Sequence, residues 1–258
     1  MLIIKLYQSK HKFFILNKFS CSNLNKIYLK DNNNEVKSFW RDISLREGLN
    51  YNMVVEIPAK SRICYEMATS EENNPIKIKP PKPIPSNTNF PVRIRNYDED
   101  PLINYGFLPQ TYSSKHKIYR NLYSGDGDPL DVIEVSGPFN KHPGDIIQVT
   151  LLGSFCLIDQ GEVDWKIIVG NVDTYDPKID YKDIITYTMK WFKTYKSFFG
   201  KKENEILEND RFFDINETIS IIEECNDDYK SLIKNLWIIY MIIQFKKKRQ
   251  FFYNEINQ

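Results

Sequence analysis

Between residues 51 and 169 the apolar positions alternate with polar ones or come in short runs, and beyond residue 180 they fall three and four apart. The first spacing predicts strands, the second helices. Tyr51-Asn52-Met53-Val54-Val55-Glu56-Ile57-Pro58 is β-branched, apolar on both faces and stopped by proline. A strand apolar on both faces belongs deep inside a covered sheet, as in a barrel wall. Glu56 shares the face of Val54, so a charge sits at the end of a buried strand. Such charges are rare unless paired or bound to a cation. Ile63-Cys64-Tyr65-Glu66-Met67 reads as the returning strand and carries a second acid, Glu66; an exposed strand face is the commoner place for an isolated Glu. Asn104–Thr111 is an aromatic strand containing a proline stop, Val132–Val135 is apolar, Ile146–Leu152 alternates, and Phe155–Ile158 is a further short strand. After a tight turn at Asp159-Gln160-Gly161-Glu162, Asp164–Val169 is a strand with Asp164 and Lys166 on one face.

The helical spacing runs through Ile184, Tyr187, Trp191, Tyr195 and Phe198, with Gly200 as the C-cap and Tyr195 and Lys196 in the last turn. A second helix is expected over Asp214–Cys225 and a third from Asp227. Strands first and helices after predict an α+β, mainly β, barrel or sandwich covered by C-terminal helices. The proline-rich stretch 73–101 predicts a long irregular loop, with Arg93 and Arg95 near its end. Residues 1–35 place Lys5, Lys10, Lys12, Lys18, Lys26 and Lys30 before the first acid, Asp31. That pattern fits an organelle transit peptide or a disordered basic arm. A domain is expected over 36–235, followed by a tail over 236–258 in which apolar Leu236–Ile243 precedes Lys246-Lys247-Lys248-Arg249. The apolar run is far short of the ~20 residues that span a bilayer. A terminal helix with a solvated basic end is the plainer expectation, and a segment touching an anionic membrane surface the other.

The net charge of +1 gives no global attraction for nucleic acid or membrane. Cys21, Cys64, Cys156 and Cys225 lie far apart without CxxC spacing, and His11, His116 and His142 share no metal-ligand spacing. Neither a disulfide scaffold nor a zinc site is indicated, and a reducing compartment is expected.

The chemistry concentrates in Gly125-Asp126-Gly127-Asp128-Pro129-Leu130-Asp131, three carboxylates within six residues. Taken alone this is an acidic turn. As a cluster its charges repel and raise one another's pKa unless a cation neutralises them. Oxygen donors without His or Cys point to Mg²⁺, Mn²⁺ or Ca²⁺. An EF-hand is excluded because Pro129 and a strand follow the acids. Glu56, Glu66, Asp126, Asp128, Asp131, Asp159 and Asp164, together with Arg93 or Arg95, Tyr105, Lys166, Tyr195 and Lys196, form a mixture with one chemical logic. Carboxylates hold several divalent ions, while basic and phenolic groups hold an anion such as phosphate. Paired ions make hydroxide available near neutral pH, and a carboxylate takes the proton.

Asp126-Gly127-Asp128-Pro129-Leu130-Asp131 resembles the D-x-D-P-x-D signature of soluble family I inorganic pyrophosphatases. Asn52–Pro58, Asn104-Tyr105-Gly106 with Pro109-Gln110-Thr111, Asp159–Lys166 and Trp191–Lys196 resemble further family segments in the same order, closer to the eukaryotic branch. The resemblance implies an OB-like closed β-barrel and Mg²⁺-dependent hydrolysis of pyrophosphate, with several ions per site and Mn²⁺ as a substitute. It implies Asp126, Asp131, Asp159, Asp164 and Glu66 as metal ligands. Asp128 would orient or deprotonate the water, with Glu56 and Tyr105 in support. Lys166, Tyr195, Lys196 and one of Arg93 and Arg95 would hold phosphate. It also implies a homodimer. The basic N-terminus leaves the cytoplasm or an organelle matrix (mitochondrial or plastid-like) as the compartment, and net charge and the short apolar run indicate no nucleic acid partner and no stable membrane span. Three departures stand out. Cys64 occupies the place of a phosphate-contacting lysine, which leaves Lys60 or Arg62 as substitutes. The family's usual tyrosine is missing near Pro101, and Gln160 replaces an acid. Cys64 therefore also admits an impaired paralogue that binds metal, phosphate or a partner.

Overall fold

The computed structural model describes residues 14–16, 26–61, 63–79, 101–119, 122–197 and 202–256. Five short strands form one sheet: β1 (Phe14–Leu16), β2 (Lys26–Lys30), β3 (Val36–Lys37), and, further along the chain, β6 (Tyr65–Met67) and β7 (Ile76–Ile78). The larger sheet begins with β4 (Arg46–Glu47) and β5 (Asn50–Ile57). It continues through β8 (Asn104–Phe107), β9 (Ile118–Tyr119), β10 (Tyr123–Gly125), β11 (Asp131–Glu134), β12 (Ile146–Asp159), β13 (Glu162–Asn171) and β14 (Glu205–Ile206). β12 pairs antiparallel with both β5 and β13, β5 with β8, and β8 with β11, while β11 runs parallel to β13. The pairings thus run round a ring. The fold is α+β and mostly β.

Period-two alternation sorts the side chains. On β13, Trp165, Ile167 and Val169 join Met53, Val55, Val132 and Val149 in one cluster, while Ile168 joins Ile133, Phe155 and Phe192 in another. Asp164 and Lys166, at the alternate positions to Trp165 and Ile167, therefore share the face on which helix α1 (Lys182–Thr194) packs. Burying one such core aromatic, Phe192 for example, stabilises by about 1.5–3 kcal/mol. Gly106 is required where β8 crosses β5: a Cβ there would lie 1.9 Å from the Val54 carbonyl oxygen. α2 (Leu207–Asp210) is one turn with Glu208 and Asn209 in left-handed conformation. α3 (Ile215–Ile256) starts on a reciprocal cap, with Glu217 N–H donating to Asp214 Oδ1 at 2.9 Å and Asp214 N–H to Glu217 Oε2 at 3.2 Å.

Several expectations are corrected. Residues 26–35 belong to the fold: β2 alternates, and Leu29 is fully buried within the cluster that holds Phe39 and Val54. β7 lies inside the stretch read as irregular loop. The two strands expected over 146–158 are one, because the irregularity at Leu151 and Gly153 bends β12 without ending it. α1 ends at Thr194, so Tyr195 is its C-cap and Lys196 lies beyond. Ile184, Trp191 and Tyr195 pack as expected, with Thr188 and Phe192 buried beside them, whereas Tyr187 is exposed. The two helices expected from Asp214 onward are the single α3. Arg62, Arg93, Arg95, Phe198 and Gly200 lie outside the described residues.

Candidate active site

One end of the ring gathers the charges. Parallel pairing sets Asp131 of β11 beside Lys166 of β13, and antiparallel pairing sets Ile133 beside Tyr105 of β8. The Lys166 side chain is 4% exposed. Its ammonium donates to the Asp131 carboxylate, to Asp164 Oδ1 at 2.6 Å and to Tyr105 Oη at 3.1 Å. Burial opposes that charge, but Asp131 and Asp164 more than offset it and hold Lys166 well above the usual lysine range. Burial, then the Asp131 charge, push the Tyr105 hydroxyl well up, so it remains a neutral donor.

The acidic loop is fastened by its backbone. Ser113 N–H donates to the Asp128 carbonyl at 2.9 Å, Gly127 N–H to the Ser113 carbonyl at 2.8 Å, and Gly125 N–H to the Ser114 carbonyl at 3.1 Å. Gly127 has φ +81°, and a side chain there would strike Lys115 Cε. Asp126 Oδ1 accepts from Asp128 N–H at 3.1 Å. Burial, then Asp164 and Asp131, raise the Asp126 carboxyl to about 8. Asp128 opens to solvent on one side but is hemmed in by protein on the others. That partial burial, then Asp131 and Glu66, raises it to about 6. Asp164 is raised as well, first by burial.

Glu56 is 7% exposed, accepts one backbone bond from Met67 N–H at 2.6 Å, and is pushed well up by burial and then by Asp131. Glu66 accepts from Lys79 Nζ at 2.7 Å. Across the site Lys196 pairs with Asp159 at 2.8 Å, and Tyr195 stacks on Trp191 with ring centroids 4.9 Å apart. The contacts join Asp131, Asp164, Lys166 and Tyr105 in one network with the loop of Asp126 and Asp128 beside it, while Glu56, Glu66, Asp159, Tyr195 and Lys196 meet other partners.

The donor set fits a hard divalent cation: it is all oxygen, its carboxyls are crowded, and two of them sit at pKa values an added positive charge would bring down. Among the described residues, no three His, Cys, Asp or Glu side chains already close around one point. The donors stand on separate arms, with Lys166 between two of them. Two basic residues were not anticipated. Lys115 lies across Gly127, and Lys79 reaches Glu66 from a stretch whose prolines read as loop. Only the register of β7 against β6 reveals Lys79. Lys60, offered by the sequence as a substitute cation, is exposed.

The sequence profile of the inorganic pyrophosphatase family matches residues 53–230. The chain belongs to the inorganic pyrophosphatase family. Among this pyrophosphatase-family chain's relatives, inorganic pyrophosphatase of Bos taurus is 35% identical over 222 residues, covering 81% of this chain and 74% of the relative. The chloroplastic soluble inorganic pyrophosphatase 6 of Arabidopsis thaliana is 32% identical, covering 81% and 70%. Inorganic pyrophosphatase 1 of Caenorhabditis elegans is 34% identical, and the chain spans only 51% of its length. The crystal structure of a type I inorganic pyrophosphatase from P. falciparum superposes with a TM-score of 0.75 at 30% identity, over 89% of this chain and 76% of that one. A truncated vacuolar soluble pyrophosphatase of Trypanosoma cruzi, solved in complex with PPi, gives 0.71 at 27% identity, over 91% and 96%.

Proposed function

We propose that this chain hydrolyses inorganic pyrophosphate to two orthophosphates, and that Mg²⁺, or Mn²⁺ in its place, is its cofactor. The carrying observation is the end of the ring where Lys166 is threaded between Asp131, Asp164 and Tyr105, with Asp126 and Asp128 beside it. Family membership and relatives that are pyrophosphatases support the same reading. When bound, divalent ions lower the pKa of water and offset phosphate charge. Asp126, Asp131, Asp159, Asp164 and Glu66 are the residues to hold them. Asp128, open to solvent and raised toward neutrality, takes the proton from the attacking water. Glu56 supports that proton path from the buried side. Tyr105 donates a hydrogen bond, and Lys166, Lys196, Tyr195 and Arg93 or Arg95 hold phosphate oxygens.

We read the ring of strands as a closed OB-like barrel and the working unit as a homodimer, in the cytoplasm or an organelle matrix. No nucleic acid enters this reading. No helix among the described residues is long and apolar enough to cross a membrane. Neither the fold nor the relatives favours the impaired paralogue that Cys64 suggests. Phosphate release from pyrophosphate, with and without added Mg²⁺, is the test. Metal-dependent release is expected, and folded protein that releases none at any metal concentration sinks the proposal.

A further inference from the structure

Cys64 stands where the family pattern has a phosphate-contacting lysine. The strand register shows what faces it. Tyr65 pairs with Ile78, and Lys79 N–H donates to the Cys64 carbonyl at 2.9 Å, so residue 79 lies opposite residue 64. Directly opposed residues on antiparallel strands project from the same face, with Cβ atoms about 4.5–5.5 Å apart. Lys79 is half-buried, and its Nζ is 2.7 Å from Glu66 Oε1. Its charge also acts on Glu56, Asp128 and Asp131, which places it among the site's acids. A lysine ammonium has three donors on a flexible stem, and one bond to Glu66 leaves two to offer an anion.

We propose that Lys79 supplies, from across the strand pair, the phosphate-holding cation that Cys64 does not. This inference rests on the pyrophosphatase reading. Its test compares the unaltered chain, Lys79→Met, Cys64→Lys and the double variant Cys64→Lys/Lys79→Met in pyrophosphate kinetics at saturating Mg²⁺ and across a Mg²⁺ titration. Loss of a charge-assisted bond is expected to raise KM about 10- to 100-fold in Lys79→Met with a smaller change in kcat. Returning the lysine to residue 64 in the double variant is expected to recover most of that loss. An unchanged KM in Lys79→Met overturns the proposal, and so does a raised KM that the double variant leaves in place. A change confined to the Mg²⁺ concentration for half-maximal rate also overturns it, since Lys79 would then act on Glu66 alone. Calorimetric binding of imidodiphosphate to the unaltered chain and Lys79→Met answers the question without turnover. Inactive unaltered protein refutes the pyrophosphatase reading, while equal affinity in this experiment refutes the role of Lys79.

An independent observation concerns α3. Thr218, Ile222, Cys225 and Tyr229 are buried against the body of the fold. From Leu236 to Phe245, by contrast, nine large apolar side chains are 42–70% exposed. The charges on this helix are segregated. Residues 214–229 carry Asp214, Glu217, Glu223, Glu224, Asp227 and Asp228 without a Lys or Arg, and residues 230–247 carry Lys230, Lys234, Lys246 and Lys247 without an Asp or Glu. Asp227 and Glu223, paired with Lys230 and Arg46, still expose 75% and 65% of their side chains. We infer that α3 pairs antiparallel with α3 of a second copy about a two-fold axis near Leu236 and Trp237. That arrangement sets Lys246 beside the partner copy's acidic half and packs apolar stretch on apolar stretch, whereas a parallel pair would oppose like charges. A flat membrane surface fits less well, because the apolar side chains surround the helix and leave no polar side to face water.

Light scattering and sedimentation are expected to give a dimer. Lys246→Glu with Lys247→Glu is expected to weaken it about tenfold or more, and adding Glu223→Lys with Asp227→Lys to restore it. A monomer throughout, or a dimer indifferent to these charges, overturns the inference. Monomeric protein that binds vesicles of phosphatidylserine and phosphatidylcholine makes the membrane the occupant and overturns it too.

Discussion

Glu56 and Glu134 are both buried glutamates on neighbouring parts of one ring of strands, and they are treated in opposite ways. Glu134 is fully buried and saturated: it accepts from Asn104 Nδ2 at 2.8 Å, Ser136 N–H at 2.6 Å and Ser136 Oγ at 2.8 Å. Asn104 in turn accepts from Ala59 N–H at 3.0 Å, which ties the exit of β5 to β8 and β11. Glu56 has one backbone donor and the Asp131 charge nearby. Buried charge surrounded by donors holds structure together, while buried charge left short of them is a standing demand for a cation or a proton. The chain separates the two kinds by the partners it gives them.

The sharpest way to break this contrast is on the chemical side. Asp128→Asn is expected to lower kcat about 10²- to 10⁴-fold through loss of proton acceptance, with the melting temperature held or raised. A comparable fall in both quantities would mean that Asp128 belongs to the structural kind. By contrast, Glu134→Ala removes the acceptor of three hydrogen bonds and is expected to cost about 3 kcal/mol, or roughly 6–12 °C in Tm. Its turnover, measured well below the transition, stays near that of the unaltered chain. Calorimetry and kinetics on the same preparation check both halves.

A smaller effect comes from pH. Burial and like charge raise the folded-state pKa values of Asp126, Asp128, Asp164 and Glu56 above their unfolded values. The folded chain therefore holds protons that the unfolded chain has released, and stability falls as pH rises through that window. Metal-free Tm should decline from about pH 4, the ordinary carboxyl range, toward about 8, where Asp126 ionises. Added Mg²⁺ should raise Tm more at pH 8 than at pH 5. Glu56→Gln keeps an acceptor for Met67 N–H and removes one of these charges, so it should flatten the metal-free slope and raise Tm at pH 8 by roughly 2–4 °C. Thermal melts with chelator across this range decide it, and a slope of opposite sign would count against the crowded-carboxyl picture.

Sequence pattern revealed what depends on near neighbours. β5 was readable because Tyr51–Ile57 is apolar on both faces, and the acids of 126–131 because they sit within one loop. Asp164 and Lys166 were placed on one face by counting residues. Features that depend on distant pairing were hidden. Lys79 enters the site only because β7 pairs with β6. The bend that keeps β12 a single strand is fixed by its partner β13. β2 was legible in its alternation of Ile27 and Leu29 with Lys26, Tyr28 and Lys30, but the basic composition around it obscured that.

The parallel pairing of β11 with β13 has a practical use. Asp131 meets Lys166 at one register, and Asp164 lies two residues before it. A slip of one residue would carry Trp165 or Ile167 into the place of Lys166 and turn the charges into the apolar cluster. A mispaired chain is thus silent as well as unstable. Turnover per molecule becomes a gauge of correct strand alignment, and refolded preparations can be graded by it without a structural probe.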